Sequence, residues 1–269
     1  MKVVSILGCG WLGQVLGQNL LSKGYVVSGS VRSNGKATAL TELGIKPHVL
    51  TVENEGIVGD FNAFIKNTEI LVIAFPPGIR HNQNADYATR IQHVLTSIPS
   101  NCAVLHLSSI GVFGKSQGEV KESTTPKPNS FVGAQLLAAE KNSLSSKNPT
   151  SIVRLGGLVG NGRHPAKQLS GKHHLPAPNA PTNLVHQLDV VTFLTNVMEI
   201  DAWGHIFHCV SPIHYQRKAF YTRECREFNL PEPHFKDEVS TQNKKVVDTK
   251  SNALFEFEYT FSSCRLRDC

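Results

Sequence analysis

Two observations predict an α/β fold with a doubly wound parallel sheet. Apolar segments of strand length alternate with amphipathic helical segments through the first half of the chain. This alternation is typical of a parallel sheet covered by helices on both faces. A glycine-rich turn, GCGWLG, also lies directly between the first strand and the first helix. The chain has 269 residues, which is enough for one large domain or two coupled lobes with a buried core.

The elements of the first half follow one another without interruption. The first strand, KVVSIL, leads into a helix from Trp11 to Lys23, which has its leucines on one face and Gly24 as its C-cap. The remaining elements are the strands YVVSGSV, PHVLTV, EILVIAF, AVLHLSS and TSIVRLGGLVG, and the helices KATALTELG, Tyr87–Ser97 and FVGAQLLAAEK.

The second half of the chain has a different composition. The segment GNGRHPAKQLSGKHHLPAPNAPTN is rich in glycine, proline and basic residues, which predicts a long irregular and functional loop. A strand, a helix opened by Asp189, another strand and a last helix follow it. We therefore expect a cofactor-binding domain over residues 1–155. Residues 156–269 are expected to form a smaller substrate lobe, partly woven back onto the first domain.

The glycine turn predicts a dinucleotide site. Gly8, Gly10 and Gly13 form G-x-G-x-x-G, with the first glycine for the tight turn, the second for close approach of a pyrophosphate and the third for helix packing. Trp11 and Leu12, between these glycines, belong to the same predicted site. A glycine turn that binds no ligand is the alternative.

The end of the second strand indicates which dinucleotide is bound. An NAD site would place an acidic residue there, but the segment reads SVRSNGK, and the first acidic residue of the chain is Glu42. Arg32 and Ser33, with Ser30 and Lys36 nearby, predict a pocket for the 2′-phosphate of NADP, which we expect to be preferred over NAD. A solvent-exposed loop arginine is the alternative.

Composition restricts the partners and the location. The net charge is +6 and the pI is about 9.0, yet no basic run is visible, so we expect no nucleic-acid partner. The charge fits either scattered solvated lysines or attraction to an anionic small-molecule substrate. No apolar run approaches the roughly 18 residues of a membrane span. The six cysteines are widely spaced, which fits a reducing cytoplasm. A homodimer is left open.

The motifs together resemble the extended short-chain dehydrogenase/reductases, which include NAD(P)-dependent epimerases and dehydratases. The resemblance rests on the glycine turn, SSIGVFG, LLAAE, RLGGLVGNGR and NLVHQLDVV, and it extends over nearly the whole chain. The AFPPG segment after the fourth strand is similar to that of atypical members, which adds Ala74, Phe75 and Pro76 to the expected cofactor site. In the family, the last hydroxyl before the V-[YF]-G segment orients the substrate, which implies this role for Ser109.

The resemblance breaks at the proton relay. The family uses a tyrosine and, four residues later, a lysine, and the LLAAE alignment places Val132 and Leu136 at these positions. None of the five tyrosines (25, 87, 215, 221 and 259) has a lysine four residues further on. The usual Tyr-x-x-x-Lys pair is therefore expected to be absent.

Two hypotheses follow from this absence. The chain is either an NADP-dependent oxidoreductase or epimerase with a different acid/base, or a catalytically silent NADP-binding module that senses cofactor or docks a partner. His186, in NLVHQL, is a candidate acid/base, with a core histidine as the alternative reading. His164, His173 and His174 lie in the irregular segment and predict either an anion site or a solvated loop. No metal site is expected, because the histidine pairs lack matched carboxylate or cysteine partners.

Overall fold

A computed structural model describes residues 1–78, 84–238 and 240–260. The chain divides into two compact units that interleave along the sequence. The first unit comprises residues 1–109, 130–153 and 191–206, and the second comprises residues 110–129, 154–190 and 207 onward. The predicted boundary after residue 155, with its division into cofactor and substrate parts, stays a prediction.

The strands and helices occur in the order that the alternating pattern predicts for the first half. The strands are β1 Val3–Leu7, β2 Val26–Val31, β3 Lys46–Val49, β4 Thr51–Glu53, β5 Gly56–Val58, β6 Ile70–Ile73, β7 Ala103–Ser109, β8 Glu119–Val120, β9 Thr150–Leu155, β10 Gly157–Val159, β11 Leu184–His186, β12 Ile206–Cys209 and β13 Lys245–Val246. The helices are α1 Trp11–Ser22, α2 Asn34–Glu42, α3 Phe61–Ile65, α4 Tyr87–Thr96, α5 Phe131–Leu144, α6 Pro165–Leu169, α7 Gln187–Glu199, α8 Arg217–Glu227 and α9 Ser251–Phe255.

The main sheet confirms the predicted fold class. Its seven strands have the order β12-β9-β7-β6-β1-β2-β3, and the pairs β1/β2, β1/β6, β2/β3 and β6/β7 are parallel. In the first ladders, Val4 stands opposite both Val27 and Ile70. From β1 the chain first extends the sheet through β2 and β3 and then crosses to β6. The topological switch point therefore lies between the carboxyl ends of β1 and β6, where parallel α/β sheets place their ligands.

Side-chain caps explain where three helices of the first unit begin. Asp60 accepts a hydrogen bond from Ala63 N at the start of α3, and Asp86 accepts one from Thr89 N at the start of α4. Ser130 accepts from Gly133 N, so the cap expected upstream of α5 is present. Helix α1 differs: its N-cap is Gly10, without a side-chain cap bond and without an acidic residue in its first turn. The amide end of α1 therefore remains suited to an anionic ligand.

The second unit contains two small strand pairs and its own apolar cluster. Strand β10 pairs with β11, and β13 pairs with β8, both in parallel. Helices α6 and α8 pack around Phe220, Tyr221 and Cys225, which are buried.

Two local expectations are wrong. The irregular segment contains the helix α6, because His164 caps it by accepting from Ala166 N and Pro165 occupies its first turn. The segment PHVLTV, expected as one strand, divides into β3 and β4, because Thr51 pairs with Val58 in a separate antiparallel hairpin.

Among the described residues, no helix is both long enough and apolar enough to cross a membrane.

Candidate functional site

The glycine turn joins β1 to α1 at the switch point of the sheet. Gly8 has φ +96°, which favours glycine, and its amide donates to Ser30 Oγ at 2.8 Å. Cys9 N donates to Ser30 O at 2.8 Å, so the start of the turn is held to β2. The Ser30 hydroxyl, expected near the 2′-phosphate, is buried and instead positions Gly8.

The three glycines of the motif meet three different environments. A Cβ at Gly8 would lie 2.6 Å from Phe75 N, and one at Gly13 would lie 3.1 Å from Ile6 Cγ2. A Cβ at Gly10 would meet no other atom within 4 Å in the described part of the chain. Gly8 and Gly13 are therefore required by protein packing, whereas Gly10 borders open space in front of the helix terminus.

The segment after β6 lies against this turn. Ala74 N donates to Leu7 O at 2.9 Å, which extends the β1/β6 ladder by one bond, and the Phe75 backbone packs directly on Gly8. Pro76 follows and is exposed. The structure thus brings Ala74 and Phe75 next to the glycine turn. Trp11 and Leu12, in the first turn of α1, are both half-buried.

A buried polar network contacts the backbone carbonyl of Phe75. The Tyr87 hydroxyl lies 3.3 Å from Phe75 O and 3.1 Å from His106 Nε2, and His106 Nδ1 lies 2.9 Å from Ser143 Oγ. Tyr87 and His106 are fully buried. Burial lowers the pKa of His106 to about 4, so the ring is neutral at physiological pH. No sequence signal indicated this network, because its members are dispersed over β7, α4 and α5.

The end of β2 presents Arg32 and Ser33 to solvent. Both residues are exposed, and Ser33 is the N-cap of α2 without a side-chain cap bond. Nothing acidic stands in the first turn of α2. The geometry leaves the guanidinium available to an external phosphate.

Ser109 ends β7 and is half-buried. Ser108 is buried, and its hydroxyl donates to Glu140 Oε1 at 2.5 Å. The motif SSIGVFG therefore contains one serine that anchors β7 to α5 and one, Ser109, that stands at the carboxyl end of the strand. Its role toward a substrate stays a prediction.

Helix α5 carries apolar residues at the two positions that the family resemblance assigns to a proton relay. Leu136 is 5% exposed and belongs to the core, and Val132 is half-buried. Gln135, one residue from the lysine position, accepts a hydrogen bond from Ala88 N at 3.2 Å. The side chains at these positions of α5 are engaged in packing or in structural hydrogen bonds and offer no group that titrates near neutral pH.

His186 lies in the second unit, at the end of β11. It is buried, and its Nδ1 accepts from Leu188 N at 3.2 Å. Burial, opposed in part by Asp189, lowers its pKa. A Cβ at Gly160 would lie 3.2 Å from His186 Nε2, so the ring packs against that glycine. The neutral ring carries its proton on Nε2 because Nδ1 is an acceptor. The assignment of His186 as an acid/base stays a prediction.

The histidines of the irregular segment do not form one cluster. His173 and His174 are exposed, and His173 stacks on His234 with centroids 4.4 Å apart. His164 is buried, and its Nε2 lies 3.5 Å from Glu224 Oε2. Burial lowers its pKa to about 4. His164 is therefore a structural residue and not part of a solvated anion site. Among the described residues, no group of three or more His, Cys, Asp or Glu side chains is arranged to hold a metal ion.

The described cysteines are core residues. Cys9, Cys102, Cys209 and Cys225 are buried free thiols, and burial raises the pKa of Cys9 to about 12. The remaining two cysteines lie outside the described residues.

Comparison with known proteins shows which proteins share this chain's sequence and fold. No family model matches the chain. Protein YeeZ of Escherichia coli (strain K12) is 32% identical over 268 residues, which cover 96% of this chain and 97% of YeeZ.

The UDP-glucuronic acid 4-epimerase of Bacillus cereus, solved with NAD, has a TM-score of 0.79 at 16% identity, covering 98% of this chain and 96% of the epimerase. A short-chain dehydrogenase/reductase superfamily protein of Agrobacterium tumefaciens, solved with NAD, has a TM-score of 0.76 at 15% identity, covering 99% and 95% of the two chains. The chain therefore belongs to the same family as protein YeeZ, and it has the Rossmann fold of the epimerases and other extended short-chain dehydrogenase/reductases that its motifs resemble.

Proposed function

We propose that this chain binds NADP(H) at the glycine turn and transfers hydride between it and a hydroxyl or carbonyl compound of sugar-like or phosphorylated type. The observation that carries the proposal is the open space over Gly10, at the uncapped amide end of α1 and at the switch point of the sheet. The structural neighbours solved with NAD have the same fold, which supports a nicotinamide dinucleotide as the ligand. Only an anionic group can use the amide end of α1 in this way.

The preference for NADP over NAD rests on the end of β2. Arg32 offers a charge-assisted contact to a 2′-phosphate, and no carboxylate stands in the first turn of α2 to hold a free ribose hydroxyl. Such contacts contribute roughly 1.5–3 kcal/mol, which is about tenfold or more in affinity. The relevant ligand is therefore NADPH, with NADH as the weaker comparator.

Cofactor titration by fluorescence tests both dinucleotide binding at the glycine turn and the preference for NADP over NAD. Gly10→Val should weaken NADPH and NADH alike by about tenfold or more, because a side chain at Gly10 would occupy the open space that the dinucleotide requires. Gln18→Val, at an exposed position two turns along α1, is the control and should change neither affinity.

Arg32→Ala should weaken NADPH selectively, whereas Lys66→Ala, which removes an exposed positive charge at the end of α3, should not. Equal affinities for the two cofactors that Arg32→Ala leaves unchanged would contradict the proposed preference.

A second candidate function is binding without catalysis, as a cofactor sensor or a partner-docking module. The specific observation in its favour is α5, where Val132 and Leu136 stand at the positions of the family's tyrosine and lysine. NADPH absorbance against a panel of carbonyl and sugar-nucleotide compounds distinguishes the two functions. Turnover that is lost in His186→Ala or Ser109→Ala would identify an enzyme and assign a role to that residue, and its absence across the panel would favour the module.

The remaining sequence-based expectations enter the proposal unchanged. The substrate is proposed to be a small anionic molecule rather than a nucleic acid, in keeping with a net charge of +6 without a basic run. A cytoplasmic location and a homodimer complete the proposal. Size-exclusion chromatography with light scattering tests the second of these.

A further inference from the structure

A cavity lies along helix α8 within the second unit. Its volume is about 560 Å³, which is within the range of small-molecule sites in proteins. Its wall is formed by residues of α8, by Gln216 just before this helix and by Asn179. Asn179 belongs to the irregular segment that the sequence predicts to be functional. The lining residues differ from those of the dinucleotide site proposed above.

The charged side chains of the wall are mostly basic. Lys218, Arg223 and Arg226 contribute three positive charges, and Glu227 contributes one negative charge. Lys218 and Arg226 are separated by roughly 12 Å along the helix axis, so the positive charge extends along the cavity. The small side chain of Ala219 also belongs to the wall and leaves space there. A concave surface of this charge attracts anions.

Carboxylates hold the two arginines in fixed orientations. Arg223 Nε and Nη2 donate to Glu224 Oε1 at 2.9 Å and 2.7 Å, and the guanidinium lies 4.9 Å from the centroid of the Tyr215 ring. Arg226 Nε donates to Glu232 Oε1 at 2.5 Å. The carboxylates offset part of the positive charge. In return, side chains that are ordered before binding lose little conformational entropy when a ligand arrives.

Other donors of the cavity have no partner within the described part of the chain. They are the ammonium of Lys218, the hydroxyl of Thr222 and the side-chain amides of Asn179 and Gln216. Lys218 therefore supplies a positive charge that no described carboxylate offsets. A phosphate group has three strong acceptor oxygens, which can accept from donors on several sides of a cavity.

We propose that this cavity binds the phosphate of a phosphorylated small molecule, at a site separate from the glycine turn. Lys218 provides the uncompensated charge, Arg223 and Arg226 provide cations that are already oriented, and the Thr222 hydroxyl provides a further donor. The inference goes beyond the proposed function, because it concerns the second unit alone and does not depend on dinucleotide binding.

Isothermal titration calorimetry of the full chain with inorganic pyrophosphate tests the proposal. Lys218→Ala should weaken pyrophosphate binding by about tenfold, because it removes a charge-assisted hydrogen bond. Lys218→Arg, which keeps the charge, should retain binding. Lys121 is exposed and does not line the cavity, so Lys121→Ala is the matched control and should leave the affinity unchanged. Succinate, a dicarboxylate, should bind more weakly, and equal affinity for succinate would overturn the assignment to phosphate.

Ala219→Glu distinguishes the cavity from the glycine turn. The substitution places a carboxylate in the wall of the cavity, and an acidic residue in the first turn of a helix is favourable, so the variant should fold. Pyrophosphate binding should be lost, whereas NADPH affinity should stay within about twofold of that of the wild type. A parallel loss of NADPH affinity would show that the site is not separate and would overturn the proposal.

Three further outcomes would also overturn it. The first is a wild-type protein that does not bind pyrophosphate. The second is an affinity for pyrophosphate that neither Ala219→Glu nor Lys218→Ala changes. The third is binding that is lost in Gly10→Val and retained in Ala219→Glu, which would assign the phosphate to the glycine turn.

Discussion

The glycine turn and the start of helix α5 both lie in the first unit, and both are positions to which the family resemblance assigns function. The turn retains what a dinucleotide requires: Gly8 in its positive-φ conformation, open space at Gly10 and an uncapped helix. Helix α5 begins with a normal serine cap and then presents Val132 and the buried Leu136. The comparison teaches that the two regions differ in what they leave open: the turn leaves space at a helix terminus, whereas the start of α5 is filled by ordinary helix packing.

The two regions are connected by the network of Tyr87, His106 and Ser143. Ser143 lies on α5, and Tyr87 reaches the carbonyl of Phe75, whose backbone packs on Gly8. Helix α5 therefore retains a supporting role for the glycine turn through its buried polar residues. The predictions below test how far the two regions differ.

The largest effect is expected at the turn, for Gly8→Ala. A Cβ there would clash with Phe75 N at 2.6 Å and would require φ near +96°. Strain and overpacking together should lower the free energy of unfolding by about 4 kcal/mol. Urea denaturation measures this, with Gly24→Ala as the matched control, because Gly24 has φ +83° but open surroundings. Equal costs at the two glycines would show that contact with Phe75 contributes nothing.

Restoring the family's lysine on α5 should also be costly. Leu136→Lys places a charge where the native side chain is only 5% exposed, and we expect a loss of about 3 kcal/mol in unfolding free energy. Ala134→Lys, at an exposed position of the same helix, should change stability little. A well-tolerated Leu136→Lys that gains hydride transfer would show that α5 still forms an accessible relay site.

The pKa of the buried His106 predicts that the free energy of unfolding depends on pH. His106 has a pKa of about 4 in the folded protein, against ~6.5 in an unfolded chain. As the pH falls from about 6.5 to 4, the unfolded state takes up a proton that the folded state does not, and stability should decrease by about 3 kcal/mol from this residue.

His164 and His208, whose pKa values burial also lowers to about 4, should add to this decrease. The free energy of unfolding at pH 7 and pH 5 should therefore differ less in His106→Gln than in the wild type. The partly exposed His93 provides the control variant, and an unchanged slope in His106→Gln would contradict the assignment.

The smallest effect is expected for Tyr87→Phe. The ring still fills its fully buried site, but the hydroxyl that contacts Phe75 O and His106 Nε2 is lost. Stability should decrease by about 1–3 kcal/mol, and NADPH affinity should fall with it because Phe75 supports Gly8. Tyr25→Phe, at a half-buried tyrosine, is the comparison. A stability loss without any change in NADPH affinity would show that the network does not influence the turn.

The sequence by itself determined the fold class and the glycine turn, because both depend on local patterns. Alternating strands and helices specify a parallel sheet, and the spacing of Gly8, Gly10 and Gly13 specifies the turn whatever lies elsewhere. The absence of a Tyr-x-x-x-Lys pair was equally visible, since it requires only reading the chain.

Only the tertiary structure decided how dispersed polar residues are used. The sequence indicated Ser30 as a phosphate ligand, but its hydroxyl accepts a hydrogen bond from Gly8 N. It indicated His164 as a residue of a solvated loop, but His164 is buried and caps helix α6. In the sequence Lys244 cannot be distinguished from a solvated lysine, but in the structure its Nζ donates to the carbonyls of Ile110 and Phe113, more than a hundred positions earlier. Burial and long-range partners set the protonation state of such groups, and neither can be deduced from local spacing.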